Sequence, residues 1–218
     1  MEHVSTREIL GRTASLVRED LPVAGLAILL LSGLGIALDL ARGSDGSGAP
    51  IVDSAVGVVA QFWITRHLVA RNGLGVEGRA RGEFQSVFGA CLLSGLAILF
   101  GLLLLVVPGI FLWIRWFAAV PLVVARGERS LPALRASWEM TKGSEGAILA
   151  ATAVIYAPMI LMLVLAVILL DEVALSLPVF TVVTNLVLYT TLVTGWYAAV
   201  AFFELREPTA GKLEQVFA

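Results

Sequence analysis

Apolar residues in this chain fall into long unbroken runs, not into the short alternations of a soluble strand or helix, and these runs set the element list. A hydrocarbon core about 30 Å thick takes roughly 20 apolar residues as a helix, and backbone left unpaired in lipid is too costly for an open sheet. By that rule the first span covers residues 21–40 and the second residues 51–70. The second is the least apolar, since it carries Asp53, Gln61, Arg66 and His67. From Val87 the chain stays apolar well beyond one bilayer thickness, with Pro108-Gly109 near the middle. Proline lacks a backbone donor and glycine tolerates a sharp reversal, so this dipeptide predicts a hairpin tip. The third span is then 87–107 and the fourth 110–125. Residues 144–170 form the fifth, with Pro158 as an expected kink, and 173–203 contain the sixth, after a turn at Asp171-Glu172. The expected fold class is all-α: a single integral membrane domain, a polytopic helical bundle of six transmembrane helices paired as three hairpins.

Two shorter stretches have a different pattern. In residues 5–18, Ile9, Leu10, Thr13, Leu16 and Val17 recur at near-helical spacing among charges, and Ser5 with Glu8 fits a capping box. Residues 130–142 open with Ser130 as a cap and Pro132 in the first turn, and Gly143 follows where a helix ends. Leu134, Trp138 and Thr141 share a face of that helix. Each stretch reads either as an interfacial helix lying along lipid headgroups or as a structural lead-in to the next span. Arg135, Ser137, Trp138 and Lys142 are the candidate interfacial or partner-contact residues of the second stretch.

Composition confirms the solvent. The chain is 58% hydrophobic and 15% charged, against about 45–50% and about 25% for soluble domains. Of its fifteen Lys and Arg, only Arg42 and Arg115 lie outside four segments: the N-terminal stretch, the end of the second span with the loop after it, the connection after the fourth span, and the C-terminal tail. That asymmetry places both termini and the longer connections in the cytoplasm of a bacterial inner membrane. Leu21 opens a run long enough to stay as an anchor, so no cleavable export signal is expected. Cys91, the single cysteine, permits no internal disulfide.

Candidate chemistry is sparse. Arg115 inside a span costs at least about 2.5–3.5 kcal/mol unless it is paired, hydrated or snorkelled. Counting helical rise from Gly109 puts it about 9 Å below the outer turn, where it could cluster with Asp53 and, less directly, Asp39. Alternatively it snorkels outward between Trp113 and Trp116. Gln61 and Asn185 lie deep in spans and read either as interhelical hydrogen-bonding groups or as the lining of a polar path. Gly73, Gly75 and Gly78 spell G-x-G-x-x-G, but the motif follows a span and has no room for a βαβ unit, so it reads as a loop. No H-E-x-x-H, G-x-S-x-G or P-loop occurs, and only His3 and His67 are present. No enzyme activity, metal or cofactor is expected on that basis.

At Pro108-Gly109-Ile110, Arg115, Pro121 and the segment from Arg135 to Gly143, which includes Trp138-Glu139-Met140-Thr141-Lys142, the chain resembles the glycerophosphoryl diester phosphodiesterase membrane-domain-like group of bacterial proteins and the related YciC-type inner-membrane proteins. Ala136 separates Arg135 from Ser137 where the family pattern joins them. The resemblance implies the helical topology and Arg115 as a family feature, and it implies no activity. The expected function is a non-catalytic inner-membrane accessory or scaffold protein in envelope or lipid homeostasis. The other reading is a small-solute transporter or channel with a path lined by the second, fourth and sixth spans. Expected partners are membrane lipids, with a protein partner or second copy compatible and no nucleic acid.

Overall fold

The computed structural model describes residues 4–42, 50–75, 82–169 and 178–207, with side chains placed except at Arg42 and residues 50–53. Nine α-helices and no strand occur among the described residues: α1 (Thr6–Glu19), α2 (Leu21–Arg42), α3 (Pro50–Arg71), α4 (Phe84–Leu104), α5 (Val106–Arg115), α6 (Ala119–Arg126), α7 (Ser130–Met140), α8 (Glu145–Leu169) and α9 (Pro178–Arg206). Residues 43–49 of the first loop, Gly78, Arg79, Arg81, the Asp171-Glu172 turn and Lys212 lie outside the described residues.

Among the described residues five segments are long and apolar enough to cross a membrane: Leu21–Ala41, Phe84–Leu104, Val106–Arg126, Glu145–Ile168 and Pro178–Arg206. The chain is therefore a helical membrane protein. The expected second span, α3, has the length at 22 residues but not the apolarity, because Gln61, Arg66 and His67 interrupt it. It is partly shielded within the bundle, where Phe62, Ile64, Thr65, Leu68 and Val69 are buried.

The α1 cap follows the expected box: the Ser5 side chain accepts from the Glu8 amide, and Glu8 accepts from the Ser5 amide at 2.7 Å. Its buried face is Ile9, Thr13 and Leu16, packed on α8 and α9. The α3 helix ends in a Schellman motif. Gly73 takes the left-handed conformation (φ 64°), its amide donates to Ala70 and the Leu74 amide donates to Val69. The first glycine of the G-x-G-x-x-G pattern is thus a helix stop.

Two features of the predicted third and fourth spans are corrected. The reversal falls at Leu105, which is extended (φ −159°, ψ 131°), and Pro108-Gly109 lies in the first turn of α5. There the missing proline donor costs nothing, since that amide has no helical acceptor. Glycine serves close approach instead: a Cβ on Gly101 would sit 2.9 Å from the Gly109 Cα. The fourth span is also not one helix. It breaks between Arg115 and Ala119, and the short α6 that follows is buried from Ala119 to Ala125.

Packing is concentrated at one end. The largest fully buried side chains include Ile9, Leu16, Leu68, Leu122, Tyr197 and Phe202, all near the charged ends of their helices. Towards the other end, Leu103, Leu104, Val107 and Val167 are more than 70% exposed. Continuous apolar surface of that kind is stable only against lipid or another apolar body.

Candidate functional site at the charged end of the bundle

The chain passes from α1 to α2 without a loop, and the pivot is Asp20. Its carbonyl accepts from the Val23 and Ala24 amides at 3.0 Å, starting α2. Its side chain is 5% exposed and gathers three distant groups: Arg71 Nη1 donates to Oδ1 at 2.5 Å, His67 Nε2 lies 3.2 Å from the same oxygen, and the Tyr197 hydroxyl donates to Oδ2 at 2.8 Å. Arg71 also donates to the Glu19 carbonyl at 2.6 Å. One carboxylate thereby ties the α1–α2 corner to the end of α3 and to α9. A buried carboxylate needs such a set of donors, because an unpaired one would be too costly.

Around this centre lie further pairs. Arg12 donates to Glu204 at 2.8 Å, which holds its proton more tightly than an ordinary arginine. Arg126 pairs with Glu207 and Glu128, and Arg206 donates to the Lys142 carbonyl at 2.7 Å and to Ser144 Oγ at 3.0 Å. The polar ends of α1, α3, α6, α8 and α9 thus form one ionic cap.

Arg115 belongs to this end as well. Its Nη2 lies 2.8 Å from Glu145, the first residue of α8, and its guanidinium lies over the Phe111 and Trp138 rings, 5.0 and 5.2 Å from their centroids, where those rings meet edge-to-face. The side chain is 12% exposed. The expected cluster with Asp39 is corrected: Asp39 accepts from Asn185 Nδ2 at 2.7 Å, on the α2–α9 seam. The side chain of Asp53 lies outside the described residues. Ion pairing and two aromatic faces compensate the charge, and snorkelling between Trp113 and Trp116 is not what the geometry does.

The α7 residues complete the arrangement. Ser137 is fully buried; its Oγ donates to the Arg115 carbonyl at 2.9 Å and accepts from the Ala118 amide at 3.2 Å. Thr141, one turn on, also reaches the Arg115 carbonyl, at 3.4 Å. These hydroxyls satisfy the backbone groups freed by the α5–α6 break, a requirement wherever helix ends are buried. Lys142 pairs with Glu139 on the surface, and Gly143 adopts the left-handed conformation expected of a helix stop (φ 77°). Arg135 is exposed beside Leu131, Trp116 and Trp138, around a groove of about 390 Å³.

Of the deep polar residues, Asn185 is explained by the seam. It accepts no Cβ at Gly35, where one would lie 2.2 Å from its Oδ1, and it also donates to the Thr181 carbonyl. Gln61 instead borders a half-open cavity, with Cys91 Sγ 3.7 Å from its Oε1. Asp20 escaped the sequence reading; its only signal was an acidic residue abutting the first apolar run. Among the described residues no group of three or more His, Cys, Asp or Glu side chains is placed to hold a metal. Comparison with family models, curated proteins and solved structures finds no match to this chain.

Proposed function

We propose that this is a non-catalytic integral protein of a bacterial inner membrane, crossing it six times with both termini cytoplasmic, and serving as a lipid-contacting accessory or scaffold protein in envelope homeostasis. The observation that carries the reading is Arg135. It has no ionic partner among the described residues, and it flanks a groove shared with Leu131, Leu134, Trp116, Trp138 and Glu139, whose carboxylate is taken by Lys142, on a helix hydrogen-bonded through Ser137 to the end of α5. An arginine beside indoles at the edge of an apolar bundle suits an anionic headgroup with its acyl chains. The resemblance of residues 108–143 to the phosphodiesterase membrane-domain group fits the same role.

In this reading α3 is the sixth crossing, tolerated because its buried face is covered by protein and its polar end joins the ionic cap. Topology is tested by cysteine labelling in intact cells on a Cys91→Ser background. Probes at residues 45 and 172 should react from outside, and a probe at 213 only after permeabilisation. Lipid contact is tested by mass spectrometry of the purified chain: anionic phospholipid should co-purify, and Arg135→Gln should lower its occupancy severalfold. Equal occupancy in that variant would remove the lipid role. The transporter reading draws on the cavity at Gln61, which residues of the second, fourth and sixth expected spans border; substrate-dependent uptake into liposomes would favour it.

A further inference from the structure

The cavity beside Gln61 lies between α3, α4, α5, the α5–α6 break, α6, α8 and α9 and has a volume of about 260 Å³. At 1.5 Å per residue, Gln61 is about 15 Å along α3 from Arg71, Tyr156 about 16 Å along α8 from Glu145, and Gly195 about 16 Å along α9 from Arg206. Most of it therefore sits within the apolar segments, and its near end at Trp116 and Phe117 adjoins Arg115. Its walls are unusual for that depth. Among the described residues, the Tyr156 and Thr152 hydroxyls, the Gln61 amide nitrogen and the indole N–H groups of Trp113, Trp116 and Trp196 make no hydrogen bond to protein. Donors in hydrocarbon require acceptors, and a polar cavity of this size holds a guest or water.

Three properties define the guest. Among the described residues no Asp, Glu, Lys, Arg or His borders the cavity, so a charged head would lose hydration without gaining a counter-ion. The unpaired groups are donors in excess, so the head must supply acceptors. Indole and phenol rings form the walls, with Trp113 edge-on to Tyr156 at 5.2 Å, which suits a flat, carbon-rich head. Gly195 shapes the site from α9: a Cβ there would lie 3.2 Å from the Tyr156 hydroxyl, so glycine leaves that donor free.

We infer that this cavity binds the head of an uncharged amphiphile bearing carbonyl acceptors, of the kind found in prenylated quinones and in diacylglycerols, with its tail in the bilayer. Trp116 borders both this cavity and the Arg135 groove, but Gln61, Thr152 and Tyr156 line the cavity alone, so the inference does not depend on the role proposed for that groove. The test uses the purified full chain in detergent, with native mass spectrometry and three probes: a decyl-benzoquinone, dioctanoylglycerol and anionic dioctanoyl-phosphatidylglycerol. One equivalent of a neutral probe is expected to bind, and whichever of the two binds more tightly identifies the source. Tyr156→Phe should raise Kd about five- to tenfold, the loss of one hydrogen bond; Thr152→Val should act in the same direction, and Gly195→Leu should abolish binding by filling the space. Leu103→Ala, on the lipid-exposed end of α4, should leave Kd unchanged. Should Gly195→Leu fail to fold, the two conservative variants decide. The inference is overturned if neither neutral probe binds the folded chain, if Tyr156→Phe and Thr152→Val both bind as wild type does, or if the anionic probe binds equally well with the same variant dependence.

Discussion

Removing the Ser137 hydroxyl should destabilise the bundle far more than a serine-to-alanine change normally does. In Ser137→Ala the Ala118 amide loses its acceptor at a fully buried position, and an orphaned buried donor costs about 1–3 kcal/mol. The Arg115 carbonyl also loses its shorter bond, yet keeps Thr141 at 3.4 Å, so its share is smaller, about 0.5 kcal/mol. The expected total is about 2 kcal/mol. Because Ser137 and Thr141 serve the same carbonyl, Ser137→Ala with Thr141→Val should cost more than the two single changes added together. Thr194→Val is the control, since that hydroxyl bonds only to Thr190 within its own helix. Reversible unfolding in mixed detergent micelles, followed by tryptophan fluorescence, measures all four proteins. A Ser137→Ala protein within about 0.5 kcal/mol of wild type, the usual scatter of neutral surface changes, would refute the idea that α7 exists to satisfy the α5–α6 break.

Arg115→Met should cost about 1–2 kcal/mol, and Arg115→Lys should recover less than half of it, because a compact ammonium cannot reach Glu145 and both the Phe111 and Trp138 rings at once as the guanidinium does; a double-mutant cycle with Glu145→Gln measures the pair directly, and zero coupling would remove it. Asp20→Asn leaves Arg71 and Tyr197 without a carboxylate and should cost about 2 kcal/mol, below the usual figure for a broken buried pair because Arg71 is 42% exposed; Tyr197→Phe should cost about 1 kcal/mol and be non-additive with it. Glu8 is held below its ordinary value of 4.5 by its hydrogen bonds from Ser5, so its stabilisation of α1 is complete above that value and is lost as pH falls below it. Amide exchange protection of α1 should show that acid step in wild type and lose it in Glu8→Gln.

Apolar run length made the fold class legible, because hydrocarbon leaves the backbone few choices. The hairpin between α4 and α5 was legible too, but not its tip: Pro108-Gly109 signals a turn and equally suits the first turn of a helix, and the tight approach of Gly109 to Gly101 decides between them. The break at residues 116–118 left no mark in its own sequence, which contains no proline or glycine there. Its warrant is Ser137, on another helix. Asp20 was opaque for the same reason, since the Tyr197 hydroxyl that explains its burial lies 177 residues away.

The placement of Arg115 shows where function is to be sought in such a chain. Helical rise from Gly109 fixed the depth of its Cα, but a guanidinium reaches several ångströms further, and it reaches towards Glu145 rather than the outer loop. The residues of the resemblance, from Pro108 to Gly143, then become one mechanical unit: α5 with its close-packed glycine, an arginine held by Phe111, Trp138 and Glu145, and α7 hydroxyls closing the break. The backbone groups freed by the break have hydroxyl partners and the Arg115 charge has Glu145, while the buried Arg115 Nε makes no hydrogen bond. Arg135 and the donors around the Gln61 cavity differ, since the protein itself satisfies neither. The lipid contact proposed for Arg135 and the guest inferred for the cavity are the partners that would meet these groups.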